Sequence, residues 1–411
     1  MVGRDDSENA GTRHLILGTV TAAHTVSHFL SQGFLVALPA IRAALGISPV
    51  GIGAIMTVRE ITGGLAALPA GVLCDRLRRH WGVVLAACMV GFGAGWLMVG
   101  LAPSYGMLMV GMAALSIAGS ISHLPSMAAL SHCFSTRRGA ALAIHGVGGT
   151  LGDVLGPTTT GVALAWLTWR GVISIYAAAP MLLAPMLFWA FRGLRPGGDE
   201  REAVNLRAQL QETRKVLGSP TVWLLNLVSA MRGMCFQAYT TFLPLFLAEE
   251  IGFGSRGVGL HLGLLFSVGI VASPVMGYLS DRVGRKTVVV PTLLGLSILS
   301  VVLARYGEGI MLTFLIATLG LFLRSDYALI SAMVLDAVGE NVATTTLGVM
   351  SFTRFALSAV SPLIAGALYA RSGMDAVLFY AAGLYAAAGV LLLVSPLRGV
   401  GSKPNQNRPG Q

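Results

Sequence analysis

Charge is what this sequence is short of. Only 11% of its 411 residues are Asp, Glu, Lys or Arg, against ~25% in a soluble globular domain. A water-soluble fold so poor in charge could not cover its own surface. Cysteine is scarce too. Cys74, Cys88, Cys133 and Cys235 show no metal or redox spacing, so they read as small apolar residues within helices. Short segments of alternating polarity are missing, which argues against an outer-membrane barrel. Long polar interior stretches are missing as well, with one exception at 194–217. The first ~13 residues are polar, and the apolar segment after them is too long for a signal-peptide core and lacks a cleavage site. It reads as a retained first helix.

What is present is apolar length. Hydrophobic residues make up 55% of the chain, and long apolar stretches recur from about residue 15 to 397, each near the ~20 residues a helical span needs. Twelve spans are expected, near 14–40, 50–74, 82–101, 106–133, 139–167, 171–192, 220–248, 257–280, 287–305, 309–335, 343–370 and 375–397. The polar stretch LRPGGDEREAVNLRAQLQETRKVL separates six from six. The expected organisation is an all-α polytopic membrane protein of two six-helix bundles, 1–193 and 218–397, with a cytoplasmic linker at 194–217 and a cytoplasmic tail at 398–411.

The basic residues orient it. With both termini inside, 19 of the 28 Lys and Arg fall on the cytoplasmic side and 5 on the other. Positive-inside bias therefore favours cytoplasmic termini. It also explains the net charge of +10 without a nucleic-acid partner. The halves echo each other. GVLCDRLRRH (71–80) returns as GYLSDRVGRK (277–286), 206 residues on, and Gly156-Pro157 is matched by Ser361-Pro362, 205 residues on. Two registers agreeing within one residue imply a duplicated six-span unit in parallel topology.

GYLSDRVGRK resembles the loop signature of the major facilitator superfamily, between the second and third helix of each half. Gly277, Leu279, Asp281, Arg282, Gly284, Arg285 and Lys286 carry it in the second copy; Gly71, Leu73, Asp75, Arg76 and Arg79 carry it in the first, where Arg78 replaces the turn glycine. RRGAALAIHGVGGTLGDVLGP is similar to the family's loop into helix five, and TWRGV to its start of helix six. HFLSQGFLVALPAIRAALGIS and the stretch 119–157 resemble the fosmidomycin-resistance and related efflux branch. The resemblance implies a secondary transporter working by alternating access, with the first, fourth, seventh and tenth helices lining a cavity. It also implies that Gly71, Asp75, Arg76, Gly277, Asp281, Arg282, Gly284 and Arg285 form a conformational latch. Physically, Gly71 and Gly277 would let two helices approach closely. Asp75 and Asp281 would accept backbone N–H groups at a helix start, and Gly284 would make a tight turn.

Ionisable residues inside spans are costly and are functional candidates by default. Arg59 and Glu60, Asp153, Arg232, Arg324 and Asp326, and Arg354 all lie there. His24, His28 and Gln32 form a stripe at helical spacing on the first span, Asn226 to Tyr239 on the seventh, and Arg324, Tyr327 and Ser331 on the tenth; His123 lies on the fourth. Expected substrate contacts are His24, His28, His123, Arg232, Tyr239, Arg324, Tyr327 and Arg354. Expected proton carriers are Glu60, Asp153 and Asp326, because a carboxyl in a low-dielectric site suits reversible protonation. Gly148, Gly152 and Gly156 form a small-residue face for close helix crossing, and Pro157 then frees one helical hydrogen bond.

Guanidinium groups at membrane depth favour an anionic or zwitterionic small substrate. The glycine-proline match implies antiport, so proton-coupled efflux is the leading expectation. Uptake of an organic acid by symport, or broad drug export, are the alternatives. No phosphate-loop lysine follows GVGGTLG, so no nucleotide and no other cofactor is expected. Expected partners are the substrate, protons and the bilayer of the cytoplasmic membrane, with the protein acting as a monomer. A membrane enzyme would need a clustered triad or metal set. The histidines look scattered along the chain, and the His24/His28 pair has no acid beside it in sequence. A non-transporting sensor is disfavoured by the intact midplane polar residues.

Overall fold

The computed structural model describes residues 2–192, 214, 218–323, 329–334, 353 and 355–396, with the side chains of 2–10, 68, 71–73 and 75 outside that description. Among the described residues there is no β-strand. The helices are α1 (Val2–Leu45), α2 (Pro49–Arg76), α3 (Trp81–Gly100), α4 (Tyr105–Cys133), α5 (Arg138–Ala163), α6 (Trp169–Tyr176), α7 (Ala178–Ala190), α8 (Pro220–Leu245), α9 (Ser255–Val283), α10 (Arg285–Tyr306), α11 (Gly309–Leu323) and α12 (Ser361–Val394). The sixth expected span is thus broken at Ala177 into α6 and α7. The last two expected spans run together in α12, interrupted at Ser372 and Gly373. Gly373 takes φ 65°, a left-handed conformation that glycine adopts at no steric cost.

Among the described residues, eight segments are long and apolar enough to cross a membrane. α5 and α8 are not among them. The physical reason is local: α5 carries His145, Asp153 and a run of glycines, and α8 carries Asn226 and Arg232. Helix starts follow capping chemistry. Ser104 accepts from the Met107 N–H at the start of α4, and Thr168 from the Gly171 N–H at the start of α6.

The chain forms two compact units. The first holds Met1–Asp199 together with Pro244–Gly263; the second holds Glu200–Leu243 and Leu264–Gln411. In the first unit α1 lies along α5, α3 along α4, and α6 and α7 against α3. One core layer joins Ile16 and Val20 of α1 to Trp81, Leu85 and Met89 of α3 and to Leu187 of α7. A second layer centres on Trp96, with ring centroids 5.5 Å from Phe34, 5.9 Å from Phe92 and 5.5 Å from Tyr176. Such tilted and edge-to-face contacts are the favoured aromatic geometry.

Pro244–Gly263 belongs to the first unit for identifiable reasons. A Cβ on Gly259 would stand 2.5 Å from the Pro157 carbonyl, and one on Gly161 2.6 Å from the Ser255 carbonyl. Only glycine permits that crossing. Nearby, Arg42 Nη1 donates to Glu249 Oε2 at 2.5 Å, and Arg256 lies over Trp166. Both partners of the Arg42–Glu249 pair are partly solvated, so its contribution is ~0.2–1 kcal/mol. Arg42→Glu should therefore raise amide exchange across 246–258 by up to about fivefold, and adding Glu249→Arg should restore protection. Exchange that is the same in all three proteins would mean that the glycine crossing alone holds the segment.

In the second unit α10 runs along α12, where Ser297 donates to the Ala382 carbonyl at 2.8 Å. Gly320 of α11 sits against the Leu265 backbone of α9, where an added Cβ would be 2.2 Å from the Leu265 carbonyl oxygen.

The loop 277–286 corrects two expectations. Among the described residues a Cβ on Gly277 would meet nothing within 4 Å, so no described helix approaches closely there. Among the described residues Asp281 caps no backbone N–H: it falls in the last turn of α9, and its Oδ1 pairs with Arg285 Nη1 at 3.2 Å. Gly284 does turn the chain, with φ 94°. Arg282 lies over Tyr278, and Lys286 donates to the Ser395 carbonyl at 2.7 Å. In the first copy α2 ends at Arg76, which is exposed; Gly71 and Asp75 lie on α2 with their surroundings outside the described residues.

Candidate functional site

Four of the eight histidines meet in the first unit. α1 supplies His24 and His28, one turn apart. α4 supplies His123, and α5 supplies His145. The His24 ring stacks on His145 with centroids 4.0 Å apart and planes 23° apart. It also faces His123 at 5.7 Å and meets His28 edge-on at 4.5 Å. His28 Nδ1 lies 2.7 Å from Asp153 Oδ1. The Asp153 side chain is 4% exposed and that of His28 37%, so the pair spans from the packed interior to the surface of the unit.

Glycine makes this possible. A Cβ on Gly149 would stand 2.6 Å from His24 Nε2, inside the imidazole's own space. A Cβ on Gly152 would stand 2.3 Å from the Thr25 carbonyl oxygen, and one on Gly156 2.3 Å from that of Phe29. α5 thus presents bare backbone to α1 over two turns. Asp153, next to Gly152, is carried within reach of His28. The expected small-residue face is a helix-crossing surface and also the floor of the histidine cluster.

Two expectations change here. The histidines are not scattered, and the His24/His28 pair does have an acid beside it, supplied by α5 across the helix contact. His145 was not foreseen at all. Its signal was in the sequence: it stands four residues before Gly149 and eight before Asp153, on the same α5 face at helical spacing. It is buried, at 4% exposure, and neither ring nitrogen has a hydrogen-bond partner among the described residues.

The other expected residues fall elsewhere. Glu60 is half-buried on α2. In the second unit, Arg232 of α8 is buried, donates through Nη2 to the Leu323 carbonyl at the end of α11, and lies over the Phe236 ring. Tyr239 is fully buried; its hydroxyl bonds to Ser300 and its ring stacks on Tyr385. Arg324, Asp326, Tyr327 and Arg354 lie outside the described residues.

Residues 20–270 and 227–410 each match the sequence profile of the Major Facilitator Superfamily. The chain belongs to that superfamily. A probable sulfoacetate transporter of Cupriavidus necator, SauU, is 24% identical to this superfamily member over 419 residues, covering 95% of this chain and 96% of that one. The fosmidomycin resistance protein of Escherichia coli strain K12 is 24% identical over 301 residues, 72% of each chain. Among solved structures, a bacterial homologue of the human lysosomal transporter Spinster, inward-facing and unoccupied, superposes with a TM-score of 0.74 at 16% identity, over 93% of this chain and 95% of that one. This likeness establishes the fold. The protein is a multi-pass membrane transporter and not an enzyme.

Proposed function

We propose that this superfamily member is a proton-coupled secondary transporter that exports a small organic anion or zwitterion across the cytoplasmic membrane by alternating access. The observation that carries the reading is the buried Asp153 carboxylate bonded to His28 inside a membrane-spanning bundle. A carboxylate there must be paired or protonated, and this one has a titratable partner that reaches the surface of the unit. With one proton shared between them the pair is neutral overall and holds α5 to α1. A second proton leaves Asp153 uncharged and His28 cationic, which weakens the bond and loosens α5 from α1. Release of that proton re-forms the pair. The α1–α5 contact would thus follow the protonation of these two side chains, with the proton taken up in the state that has released the anion.

The positive-inside distribution of Arg and Lys supports cytoplasmic termini. The two relatives support the substrate class: one is named for sulfoacetate and the other for resistance to fosmidomycin, a sulfonate and a phosphonate. Arg232, Arg324 and Arg354 are the guanidinium groups proposed to read such headgroups.

The test is apparent melting temperature in detergent with sulfoacetate, fosmidomycin or tetraphenylphosphonium, for wild type beside Arg324→Ala. A ligand at 100 times its Kd adds about 2.7 kcal/mol of native-state stability, so a bound anion should raise the wild-type transition by several degrees and leave the variant unmoved. Stabilisation of both proteins by the lipophilic cation alone would replace this reading with broad drug export. In liposomes, external anion should drive proton movement opposite to its own; movement in the same direction would make the protein a symporter.

A further inference from the structure

The strongest unassigned feature is the part of the cluster that Asp153 does not serve. His24, His123 and His145 each offer a ring nitrogen, and these three atoms all lie within 4.8 Å of one another. They come from α1, α4 and α5. No carboxylate is bonded to any of the three among the described residues. His145 is buried, with both nitrogens unpartnered among those residues. A buried polar atom without a partner is costly, and His145 carries two such atoms. His123 is exposed at the surface of the first unit, so the group is not sealed within the helix packing. Gly149 clears the volume in which His24 Nε2 sits.

We propose that His24, His123 and His145 form a binding site for one divalent transition-metal cation of the Zn2+, Co2+ or Ni2+ kind. Neutral imidazole is a preferred ligand for these ions, and magnesium or calcium would seek oxygen instead. Metal–nitrogen bonds of ~2.0–2.1 Å place tetrahedral donor atoms ~3.3 Å apart. The three nitrogens need to close by no more than ~1.5 Å, within the reach of side-chain rotation. Three imidazoles leave a coordination position for water or an anion. The Asp153 carboxylate lies one residue pair away, through His28, and offsets part of the cation's charge. Sulfur does not compete: Cys74, Cys88, Cys133 and Cys235 are buried, and none belongs to the group. Bound there, the cation would tie α1, α4 and α5 together. The site stands whether or not the protein is proton-coupled.

The experiment uses tag-free, metal-stripped, full-length protein in detergent. Co2+ is added while visible absorption and apparent melting temperature are followed. One Co2+ per chain is expected, with ligand-field bands of a low-coordinate nitrogen site and a higher transition temperature, and no response to Mg2+. His24→Gln, His123→Gln and His145→Gln should each weaken binding at least tenfold, and the triple variant should show no bands. Absence of saturable Co2+ bands in wild type would overturn the proposal, a result that needs no variant to fold. So would thiolate-to-cobalt charge-transfer absorption, or a triple variant that binds like wild type. Transport is measured in none of these arms, so failure here leaves the proton-coupled reading untouched, and failure of coupling leaves the metal site untouched.

Discussion

Asp153→Asn is expected to abolish coupling to the proton gradient while the bundle stays folded. Asparagine keeps the shape of the side chain and can still hydrogen-bond His28, so the α1–α5 contact survives. What it loses is the charge and the proton. Each coupled proton is worth about 1.4 kcal/mol per pH unit, a factor of ten in the concentration ratio a transporter can sustain. Removing one coupled proton should therefore cut the substrate accumulation driven by one pH unit about tenfold. Exchange of labelled for unlabelled substrate needs no net proton movement and should persist. Asp153→Ala should do more damage, because it also removes the hydrogen bond to His28; with the His28 side chain 37% exposed and open to solvation, the loss should be ~1–3 kcal/mol. The measurement is pH-driven flux beside counterflow in liposomes. If the asparagine variant still accumulates substrate to the wild-type ratio, Asp153 carries no proton and Glu60 or Asp326 becomes the carrier to test.

Gly152→Ala and Gly156→Ala should each destabilise the first unit, and by more than any other single-methyl change in α5. The added Cβ would meet the carbonyl oxygen of Thr25 or of Phe29 at 2.3 Å. These are backbone atoms of α1, so no side-chain rotation relieves the clash and the helices must separate. Overpacking of this kind costs ~1–3 kcal/mol and occasionally more. At ~2–4 °C per kcal/mol for a unit of this size, the transition should fall by several degrees. α5 supplies its own controls. A Cβ on Gly139 or Gly146 would meet nothing within 4 Å, and alanine is the better helix former by ~0.5–1 kcal/mol. Gly139→Ala and Gly146→Ala should be neutral or mildly stabilising. Apparent melting of the four purified variants decides the matter. Equal effects at all four positions would mean that helix propensity, and not the crossing with α1, governs this face.

The two experiments probe one construction. The glycines that bring α5 onto α1 are the reason Asp153 reaches His28 and His24 reaches His145. A methyl group at Gly152 should therefore impair function as well as folding, since it widens the gap across which the His28–Asp153 bond is made.

Read alone, the sequence determined the class of the protein. Scarce charge and recurring apolar length placed it in a membrane, the echo of 71–80 in 277–286 pointed to a duplicated unit, and the loop motifs matched the superfamily. It also identified His24, His28, His123 and Asp153 as out of place at membrane depth, and Gly148, Gly152 and Gly156 as a face for close crossing. All of these are local signals: composition, hydropathy over ~20 residues, and side chains recurring every 3.6 residues along one helix. Only the tertiary structure decided which stripe meets which. His145 looked like one more residue in a glycine-rich segment until α5 was laid against α1. Asp281 looked like a cap until α9 was seen to run through it, and Pro244–Gly263, in the second half of the chain, packs with the first unit. Helix periodicity says which residues share a face and is silent on the partner that face will find. The partner is chosen by close packing, where the absence of a Cβ at a few glycines lets one backbone touch another. That absence, at Gly149 and Gly152, is what brings His24 and His28 of α1 together with His145 and Asp153 of α5.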